Sequence, residues 1–395
     1  MQKRGLTKYA IVIGASDETI YAIRQAQKYG MTVLAFDGNE KAEGLKYADQ
    51  AYVVDIRDPK KIFAVIDKMD ISAKDMVVLP VPIGRYLISS GAFNEHYGLI
   101  GAGNNTTEVC TDKWIFHKTL KQLGLRKINC NLIKAGKTTY VPESLPVIVK
   151  PRYGAGSRQV LRISSQEEWD GFAKEMPYDE DFIVEDAVDG QEYGVDGMVI
   201  NKRFHLILAR KKLITTPPYR QCVGYISTNH KKHAELLERI KEFMSELIAA
   251  IQLEDGIVHA DLMKEEQGLF IIELSARPSG HRLHDIFVPM VTGIDMISEF
   301  IRYTKGGHPS IHVKETDNVY IIRYFDIESK INIIPPKEYI MNKYSLLEYE
   351  CNLIPGEIRK IKDGHSLMGR GYFILEGKNE KEVCELANSV LNEYL

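Results

Sequence analysis

Short apolar runs and stretches with helical spacing take turns along residues 9–110. The runs YAIVIG, MTVLAFD, QAYVVDI, DMVVLPV and GLIGA predict strands, and ASDETIYAIRQAQKYG and PKKIFAVIDKM predict helices. Strands that alternate with helices form a parallel sheet with helices packed on its faces. The pattern therefore predicts an N-terminal parallel α/β domain, with loops at the strand ends near Gly14 and Pro80–Gly84 that form one wall of a cleft.

From Thr111 onward the pattern changes. The amphipathic stretch TDKWIFHKTLKQLGL predicts a helix with Asp112 near its start, and the strands LPVIVKP and QVLRI flank the glycine-rich turn YGAGSR. Two strands are predicted within 182–199 and another over 203–214, followed by a loop at Pro217–Gly224.

The remaining periodic stretches predict mixed helices and strands. Thr228 or Asn229 is the predicted N-cap of a helix that runs through Ile251, and Asp285–Arg302 is also predicted to be helical. Near the end of the sequence, VYIIRYFDI and GYFILEG predict strands and KEVCELANSVLNEY predicts a helix.

The stretch GIVHADLMKEEQGLFIIELSARPSG predicts a β-hairpin. Its strands IVHADLM and LFIIELS are joined by a polar turn centred near Gln267. With this centre, the antiparallel register places Asp261 opposite Glu273, with Cβ atoms ~4.5–5.5 Å apart. An alternative is an edge hairpin whose acids face solvent.

The same register places Ser275 opposite His259. Because strand side chains alternate, Glu273, Ser275 and Arg277 share one face with Asp261. Two neighbouring carboxylates in an apolar setting require a cation between them. Their oxygen atoms suit Mg²⁺, whose other coordination positions are filled by water and phosphate.

The turn YGAGSR follows directly after the strand VIVKP. A glycine-rich turn between two strands resembles the flexible cover that kinases place over ATP phosphates, although many such turns are only turns. Lys150 supports the functional interpretation, since a lysine that ends a buried strand requires an anion.

The acids of DFIVEDAVDGQEYGVDGMV are candidates for nucleotide contacts. An extended backbone after Glu185 and Asp186 could pair with the edge of an adenine ring, and Glu192 or Asp196 could accept ribose hydroxyls. The alternative is a set of solvated loop acids. The next strand carries three basic residues that could lie near phosphate or on a solvent-exposed edge, namely Arg210, Lys211 and Lys212.

Length, charge and cysteine usage narrow the function classes. The 395 residues can fold into two or three domains. The net charge is −3, and acidic and basic residues are interspersed along the sequence, so the pattern shows no basic face for nucleic acid. The five cysteines are scattered without paired spacing, which predicts a reducing, cytoplasmic location. No apolar run approaches the ~20 residues of a membrane span.

Gly14 ends the first strand and Asp37 the second, a placement that is also found in dinucleotide-binding domains. The turn GASDETI lacks the second and third glycines of the dinucleotide fingerprint. This counts against a nicotinamide-dependent dehydrogenase.

Taken in order, the motifs resemble those of the ATP-grasp carboxylate–amine ligases. They are DKWIFHKTL, VIVKP with YGAGS, VEDAVDGQEYGVDG, GIVHADLM, FIIELSARPSG and RGYFILEGKNEKEVCELANSVL. The likeness covers nearly the whole chain and is closest to the amino-acid ligase, phosphoribosylglycinamide synthetase and carboxylase-type branch.

The resemblance implies a multidomain α/β and α+β fold, in which a parallel α/β pre-ATP-grasp domain precedes two α+β subdomains with ATP between them. The implied divisions are an N-terminal domain at 1–110, a small lid subdomain at 111–182, a large subdomain at 183–314 and a closing C-terminal subdomain at 315–395. It also implies small-molecule carboxylate and amine substrates, and it leaves a homodimer open.

The resemblance also implies roles for individual residues. The implied phosphate contacts are Lys113 and Lys150, with Gly154, Ala155, Gly156 and Ser157 as a mobile lid. The implied adenine and ribose contacts are Glu185, Asp186, Ala187, Val188 and Glu192. Asp261, Glu273 and Ser275 would be the ligands of Mg²⁺, with Mn²⁺ as a substitute, and Arg277 would hold the acylphosphate.

Two positions depart from the family pattern, since relatives usually carry Glu where this chain has Asp261 and Asn where it has Ser275. The departures put a second Mg²⁺ in doubt and leave open an ATP-binding regulatory paralogue without turnover. No general base is identified, with His259 and His281 as weak candidates. The substrate pocket is expected between the front-domain loops, Arg277–His281 and the 214–228 loop.

Overall fold

The computed structural model describes residues 8–136, 140–154, 156, 158–177, 179–216, 220–228, 232–266, 268–358, 360–361 and 363–395. These residues form three β-sheets. The predictions that concerned Ala155, Ser157, Asn229 and Gln267 lie outside the described residues.

The N-terminal sheet is parallel, as the sequence predicts. Its strands are β1 (Tyr9–Ile13), β2 (Thr32–Asp37), β3 (Gln50–Val53) and β4 (Met76–Val78), in the order β3-β2-β1-β4. The helices around it are α1 (Ile20–Lys28), α2 (Pro59–Ile66), α3 (Leu87–Tyr97) and α4 (Asn104–Thr111). Apolar residues on both faces of β1, β2 and β4 are buried, which explains why these strands read as continuous apolar runs, whereas the edge strand β3 is largely exposed.

A small antiparallel sheet follows helix α5 (Lys113–Gln122). Its strands are β5 (Cys130–Ile133), β6 (Val147–Pro151), β7 (Leu161–Ile163) and β8 (Phe182–Asp186), in the order β5-β8-β6-β7. Helix α6 (Gln166–Glu175) buries Trp169 against one face of this sheet.

The large sheet has eight strands. They are β9 (Gln191–Ile200), β10 (Arg203–Ile214), β11 (Cys222–Ser227), β12 (Gly256–Lys264), β13 (Leu269–Ser275), β14 (Val319–Tyr324), β15 (Glu348–Cys351) and β16 (Gly371–Gly377). Their order is β13-β12-β9-β10-β11-β14-β16-β15. The helices of this part are α7 (Ala234–Ala250), α8 (Val288–Thr292), α9 (Met296–Thr304), α10 (Lys337–Tyr344), α11 (Gly364–Met368) and α12 (Glu380–Asn392).

Two predicted elements of the chain differ from those observed. GLIGA is not a strand, because Gly98 (φ 63°) and Gly101 (φ 140°) adopt positive φ values that turn the chain between α3 and α4. The predicted loop at Pro217–Gly224 contains the start of β11, whose backbone pairs with both β10 and β14.

Two predicted helices also have different bounds. Helix α7 begins at Ala234, and the hydroxyl of Thr228 does not cap it but donates to the carbonyl of Ala209 within the sheet. The helix predicted over Asp285–Arg302 is interrupted at Gly293, whose φ of 75° ends α8.

None of the helices in the described part of the chain is long and apolar enough to cross a membrane. All five cysteines are free thiols.

Candidate active site

The hairpin of β12 and β13 has the register that its sequence predicts. Asp261 lies opposite Glu273, and His259 lies opposite Ser275. Both acids line a cleft whose other wall, formed by the small sheet, includes Lys150. The acids therefore do not project from a solvent-facing edge.

A β-bulge in β13 brings further residues into this cleft. Pairing passes from Asp261 with Glu273 to Leu262 with Ile271, so Ile272 is an extra residue without a partner. Strict alternation would direct Phe270 and Glu273 to opposite faces. The extra residue lets both of them line the cleft.

The cleft lies between the small and large sheets and is open to solvent on one side. Its apolar lining comes from both sheets: Ile148, Pro151, Val160, Val188, Met263, Phe270 and Ile272. Its polar lining comprises Lys113, Lys150, Gly154, Arg158, Glu185, Asp186, Glu192, Lys212, Arg220, Asp261 and Glu273. One part of the cleft can therefore hold a flat apolar ring, and another can hold a charged group.

Lys150 is held by a buried ion pair at the end of β6. Its Nζ lies 2.6 Å from Oε1 of Glu185, and Nη2 of Arg126 lies 2.8 Å from the other carboxylate oxygen. Burial alone would raise the pKa of Glu185, but the two cations outweigh burial and lower the pKa to about 2. The cluster holds two positive charges and one negative charge, which leaves net positive charge beneath the cleft.

Arg126 connects this cluster to the large sheet. Its Nε donates to the carbonyl of Ile271 at 3.2 Å, next to the bulge, and its guanidinium lies 4.9 Å from the Phe270 ring centroid. Its Nη1 lies 2.8 Å from Nδ1 of His117. Burial, together with the Arg126 charge, lowers the pKa of His117 to about 4, so this ring is neutral at pH 7 and accepts the hydrogen bond.

Lys212 neutralises the hairpin acid on the other side of the cleft. Its Nζ lies 2.7 Å from Oδ2 of Asp261 and 3.3 Å from Oε2 of Glu192, which also pairs with Arg220. Burial opposes ionisation of Asp261, but Lys212 outweighs it and lowers the pKa of Asp261 to about 2.

The carboxylates of Asp261 and Glu273 have capacity for a cation. Oδ1 of Asp261 is buried without a hydrogen-bond partner, and Glu273 forms no ion pair with any described residue. No cluster of three or more His, Cys, Asp or Glu side chains suited to a metal occurs among the described residues. The donor set fits Mg²⁺ only where phosphate and water oxygens complete the coordination.

Ser275 and Arg277 continue along the same face toward the front domain. Both line a second cavity together with Glu273 and Lys113, and Ser275 is buried. Arg277 donates from Nη1 to the carbonyl of Pro278 at 2.8 Å. Its guanidinium forms no ion pair within the described part of the chain.

The glycine-rich turn is tied to two other parts of the chain. Lys113 Nζ donates to the carbonyl of Gly154 at 2.7 Å, and the carbonyl of Gly156 accepts from the N–H of Gly364 at 3.1 Å. Burial lowers the pKa of Lys113. Lys113 starts α5, whose N-cap Asp112 accepts hydrogen bonds from the backbone of the first turn, so the sequence fixes its position.

The segment after Glu185 contributes Asp186 and Val188 to the lining of the cleft. Asp186 accepts from the N–H of Asn129 at 2.8 Å, and the N–H of Ala187 donates to the carbonyl of Pro146 at 3.1 Å. Val188 lines the cleft. The carboxylate of Glu185 is occupied by its two cations, so its position orients Lys150.

Sequence reasoning did not identify Arg126 or the apolar residues Met263 and Phe270 as site residues. For Lys212, sequence reasoning left open a location near phosphate and one on a solvent-exposed edge. Period-two alternation in β10 resolves the choice, because Arg210 and Lys212 are buried whereas Lys211 points to the other face and pairs with Glu380. No local signal identifies Arg126, since its partners lie on distant segments.

A third cavity, which we call the inner cavity, lies where the substrate pocket was expected. It is lined by the front-domain residues Glu18 and Pro82–Gly84, by Gln221, Cys222 and Tyr225, and by Arg277 with Ser279–His281. It shares Lys212, Asp261 and Glu273 with the cleft between the small and large sheets.

Residues 143–285 match the family model of the ATP-grasp domain. The division into a parallel N-terminal sheet and two antiparallel sheets confirms the predicted fold class. The match covers β6 to the segment that follows the hairpin, and therefore contains both walls of the cleft.

The relatives found by sequence are large chains of carbamoyl phosphate synthase. Those of Thermotoga petrophila and Thermotoga neapolitana are each 25% identical over 223 residues, which cover 51% of this chain and 18% of the relative. The chain therefore spans about a fifth of the length of these curated relatives.

Solved structures with the same fold cover nearly the whole chain. An L-amino acid ligase from Bacillus licheniformis has a TM-score of 0.79 at 16% identity, covering 98% of both chains. Phosphoribosylglycinamide synthetase from Anaerococcus prevotii has a TM-score of 0.70 at 16% identity, again covering 98% of both. The biotin carboxylase domain dimer of Hydrogenobacter thermophilus 2-oxoglutarate carboxylase, in complex with MgADP, ADP and bicarbonate, has a TM-score of 0.66 at 16% identity, covering 98% of this chain and 90% of that one.

Proposed function

We propose that this protein is an ATP-dependent ligase that activates a carboxylate as an acylphosphate and joins it to an amine. The observation that carries the proposal is the two-walled cleft of the ATP-grasp domain. One wall presents Lys150 from the small sheet, and the other presents Asp261 opposite Glu273. An arrangement of fixed cations facing paired acids suits a metal-bound nucleoside triphosphate.

The nucleotide is assigned to the cleft by the chemistry of its lining. The adenine ring lies between apolar side chains of the two sheets, among them Val188, Met263 and Phe270. The backbone from Glu185 to Val188 runs along its edge. We assign the ribose hydroxyls to the carboxylate of Glu192, which Lys212 and Arg220 hold in place.

The phosphates extend toward Lys113 and Lys150. Mg²⁺, or Mn²⁺ in its place, would be held by Asp261 and Glu273 with Ser275 nearby, and would supply neutralisation of phosphate charge. Transfer of the γ-phosphoryl group needs positioning and charge neutralisation more than covalent help from the protein. The net positive cluster around Lys150 provides part of this neutralisation.

The chemistry proceeds in two balanced steps. A substrate carboxylate oxygen forms a bond to the γ-phosphorus, the bond to the β-phosphate oxygen breaks, and ADP leaves. The amine then attacks the carbonyl carbon, inorganic phosphate leaves with the bonding electron pair, and the amine gives up a proton. Arg277 faces the reacting carboxylate and stabilises the charge on its oxygen atoms.

Exclusion of water is a requirement of this chemistry, because acylphosphates hydrolyse readily. The turn at Gly154–Ser157 is the proposed lid, and within it Gly154 contacts Lys113 and Gly156 contacts Gly364. His259 and His281 line the inner cavity and remain the candidates for the base that takes the amine proton.

The proposed partners are a small carboxylate and a small amine in the cytoplasm, with a homodimer left open. A second candidate is a regulatory protein that binds ATP without turnover. The ion pair of Lys212 with Asp261 favours this alternative, since it occupies one oxygen of an acid that would bind the metal.

The test is ADP release with Mg²⁺ and a panel of carboxylates and amines. The Asp261→Ala/Glu273→Ala double variant should lose nearly all substrate-dependent ADP release. The matched control Glu238→Ala removes an exposed acid of α7 that pairs with Lys241, and it should behave like the wild type. A double variant as fast as the wild type would refute the ligase. Mg-ATP binding without ADP formation across the panel would establish the regulatory alternative.

A further inference from the structure

The inner cavity contains a carboxylate that the proposed reaction does not use. Glu18 belongs to the helical turn that follows β1, and its Oε1 accepts a hydrogen bond from the N–H of His281 at 2.5 Å. A Cβ atom added to Gly280 would lie 3.0 Å from this oxygen, so the carboxylate packs directly on the chain there. Burial raises the pKa of Glu18.

Glu18 and Arg277 line the same cavity with opposite charges. Neither side chain forms an ion pair with any other side chain in the described ranges. The segment from Arg277 to Gly280 spans three residues, which limits the backbone separation to roughly 10 Å. One short segment thus places the guanidinium beside the acids of the hairpin and also contacts the carboxylate of Glu18.

Glu18 and Arg277 are both half-buried, and although the charge of Arg277 acts on Glu18 across the cavity, the two side chains do not pair directly. A ligand can pair with both of them, because a guanidinium pairs with a carboxylate and a carboxylate pairs with an ammonium group. The cavity also has an apolar wall, which is formed by Pro82, Ile83 and Leu283. A free amino acid with an apolar side chain has all three matching parts.

We propose, resting on the ligase function above, that the acid activated by this protein is a free amino acid. Its carboxylate lies beside Arg277, at the end of the inner cavity shared with the nucleotide cleft, and its ammonium group lies against Glu18.

The charge of Glu18 also decides which amine it holds. A neighbouring carboxylate stabilises the protonated form of an amine. An amine must lose its proton before it can attack a carbonyl carbon. Glu18 therefore holds the spectator ammonium group of the activated acid, and the attacking amine comes from elsewhere.

The test uses hydroxylamine as the nucleophile, so that the natural amine need not be known. Hydroxylamine converts an acylphosphate into a hydroxamate and releases phosphate. Apolar amino acids are compared with their 2-hydroxy and desamino counterparts, with Mg-ATP held constant. We expect the amino acids to have a KM lower by about 10- to 100-fold, the value of a charged hydrogen bond in a buried site.

The Glu18→Gln variant keeps the acceptor for the N–H of His281 and removes the charge. It should raise the KM for amino acids by about 10-fold or more and leave kcat/KM for the desamino acids within about threefold of wild type. The control Asp17→Asn removes the adjacent, exposed acid and should change neither value.

The outcomes separate this proposal from the one on which it rests. Hydroxamate formed from desamino acids as readily as from amino acids, with ADP release, would leave the ligase standing and overturn the amino-acid substrate. An equal loss on both substrate classes in Glu18→Gln would reduce Glu18 to a structural role and also overturn it. No product or ADP from any acid would count against the ligase itself.

Discussion

Lys150 Nζ and Glu185 Oε1 lie 2.6 Å apart at the centre of the small sheet, and both side chains are almost fully buried. A lysine at this depth would lose its proton or its position without a partner. One oxygen of the Glu185 carboxylate pairs with Lys150, and the other oxygen pairs with Arg126. The pair fixes the direction of the Lys150 ammonium group, so the cleft holds an ordered cation before any nucleotide arrives.

Arg126 is the residue whose removal should affect both stability and nucleotide binding. In Arg126→Met the buried Glu185 retains only Lys150, and the unfolding free energy should fall by roughly 3–5 kcal/mol, as expected when one partner of a buried ion pair is removed. Denaturant unfolding measures this change. Arg126 also donates to Ile271 beside the bulge, so the affinity for a non-hydrolysable ATP analogue should fall as well.

The matched control for this prediction is Arg239→Met. Arg239 is exposed on α7, and its loss should change the unfolding free energy by no more than about 0.5 kcal/mol. If the two variants were equally stable and bound the analogue equally well, Arg126 would have no positioning role.

The hairpin shows how far sequence reasoning reaches in this chain. A turn centred at Gln267 predicts the pairing of Asp261 with Glu273, and this pair is observed. Next to the turn, however, Lys264 pairs with Leu269, and this register would place Asp261 opposite Ile272. The extra residue Ile272 shifts the register by one and brings Glu273 opposite Asp261. The bulge at Ile272 could not be predicted in this way. It depends on where pairing resumes beyond the turn, and no residue of β13 marks the position by itself.

The errors and omissions elsewhere have related causes. GLIGA has the apolar composition of a strand, but its glycines allow a turn that packing on α3 selects. The role of Arg126 depends on its contact with Ile271, which is 145 residues away in sequence. The role of Glu18 depends on its contact with His281, which is 263 residues away. Long-range juxtaposition of this kind depends on the tertiary fold and leaves no periodic signal.

The neutral ring of His117 should make stability depend on pH in a defined window. Burial lowers its folded pKa to about 4, against an ordinary value of 6.5. Between these two values the unfolded chain binds a proton that the folded chain does not, so stability rises with pH. His117 therefore destabilises the fold progressively as the pH falls from 6.5 to about 4.

The measurement compares the unfolding free energies of the wild type and His117→Asn across this pH range. The variant keeps a hydrogen-bond acceptor for Arg126 but cannot titrate, so its advantage over the wild type should grow on acidification, by at most ~1.4 kcal/mol per pH unit. A difference between the two proteins that stays constant with pH would show that His117 is not the titrating group.

In the proposed ligase, Lys212 and a divalent cation would compete for the carboxylate of Asp261. Lys212 Nζ lies 2.7 Å from Oδ2 of Asp261, so its charge stabilises Asp261 while the metal is absent. In Lys212→Met the buried Asp261 loses this cation, and the metal-free protein should be destabilised, by roughly 3–5 kcal/mol. A metal that binds only the folded protein then restores stability by mass action. With a non-hydrolysable ATP analogue present throughout to supply phosphate oxygens, added Mg²⁺ or Mn²⁺ should therefore raise the Tm of the variant more than that of the wild type.

Scanning calorimetry with saturating metal and with a chelator measures these shifts, and the neighbouring lysine supplies the control. Lys211 lies on the opposite face of β10, where it pairs with Glu380, and Lys211→Met should show the wild-type metal shift because it does not approach Asp261. An equal metal shift in all three proteins would mean that Asp261 does not face the cation. The metal would then bind without Asp261, and the proposed site of two carboxylates, Asp261 and Glu273, would be wrong.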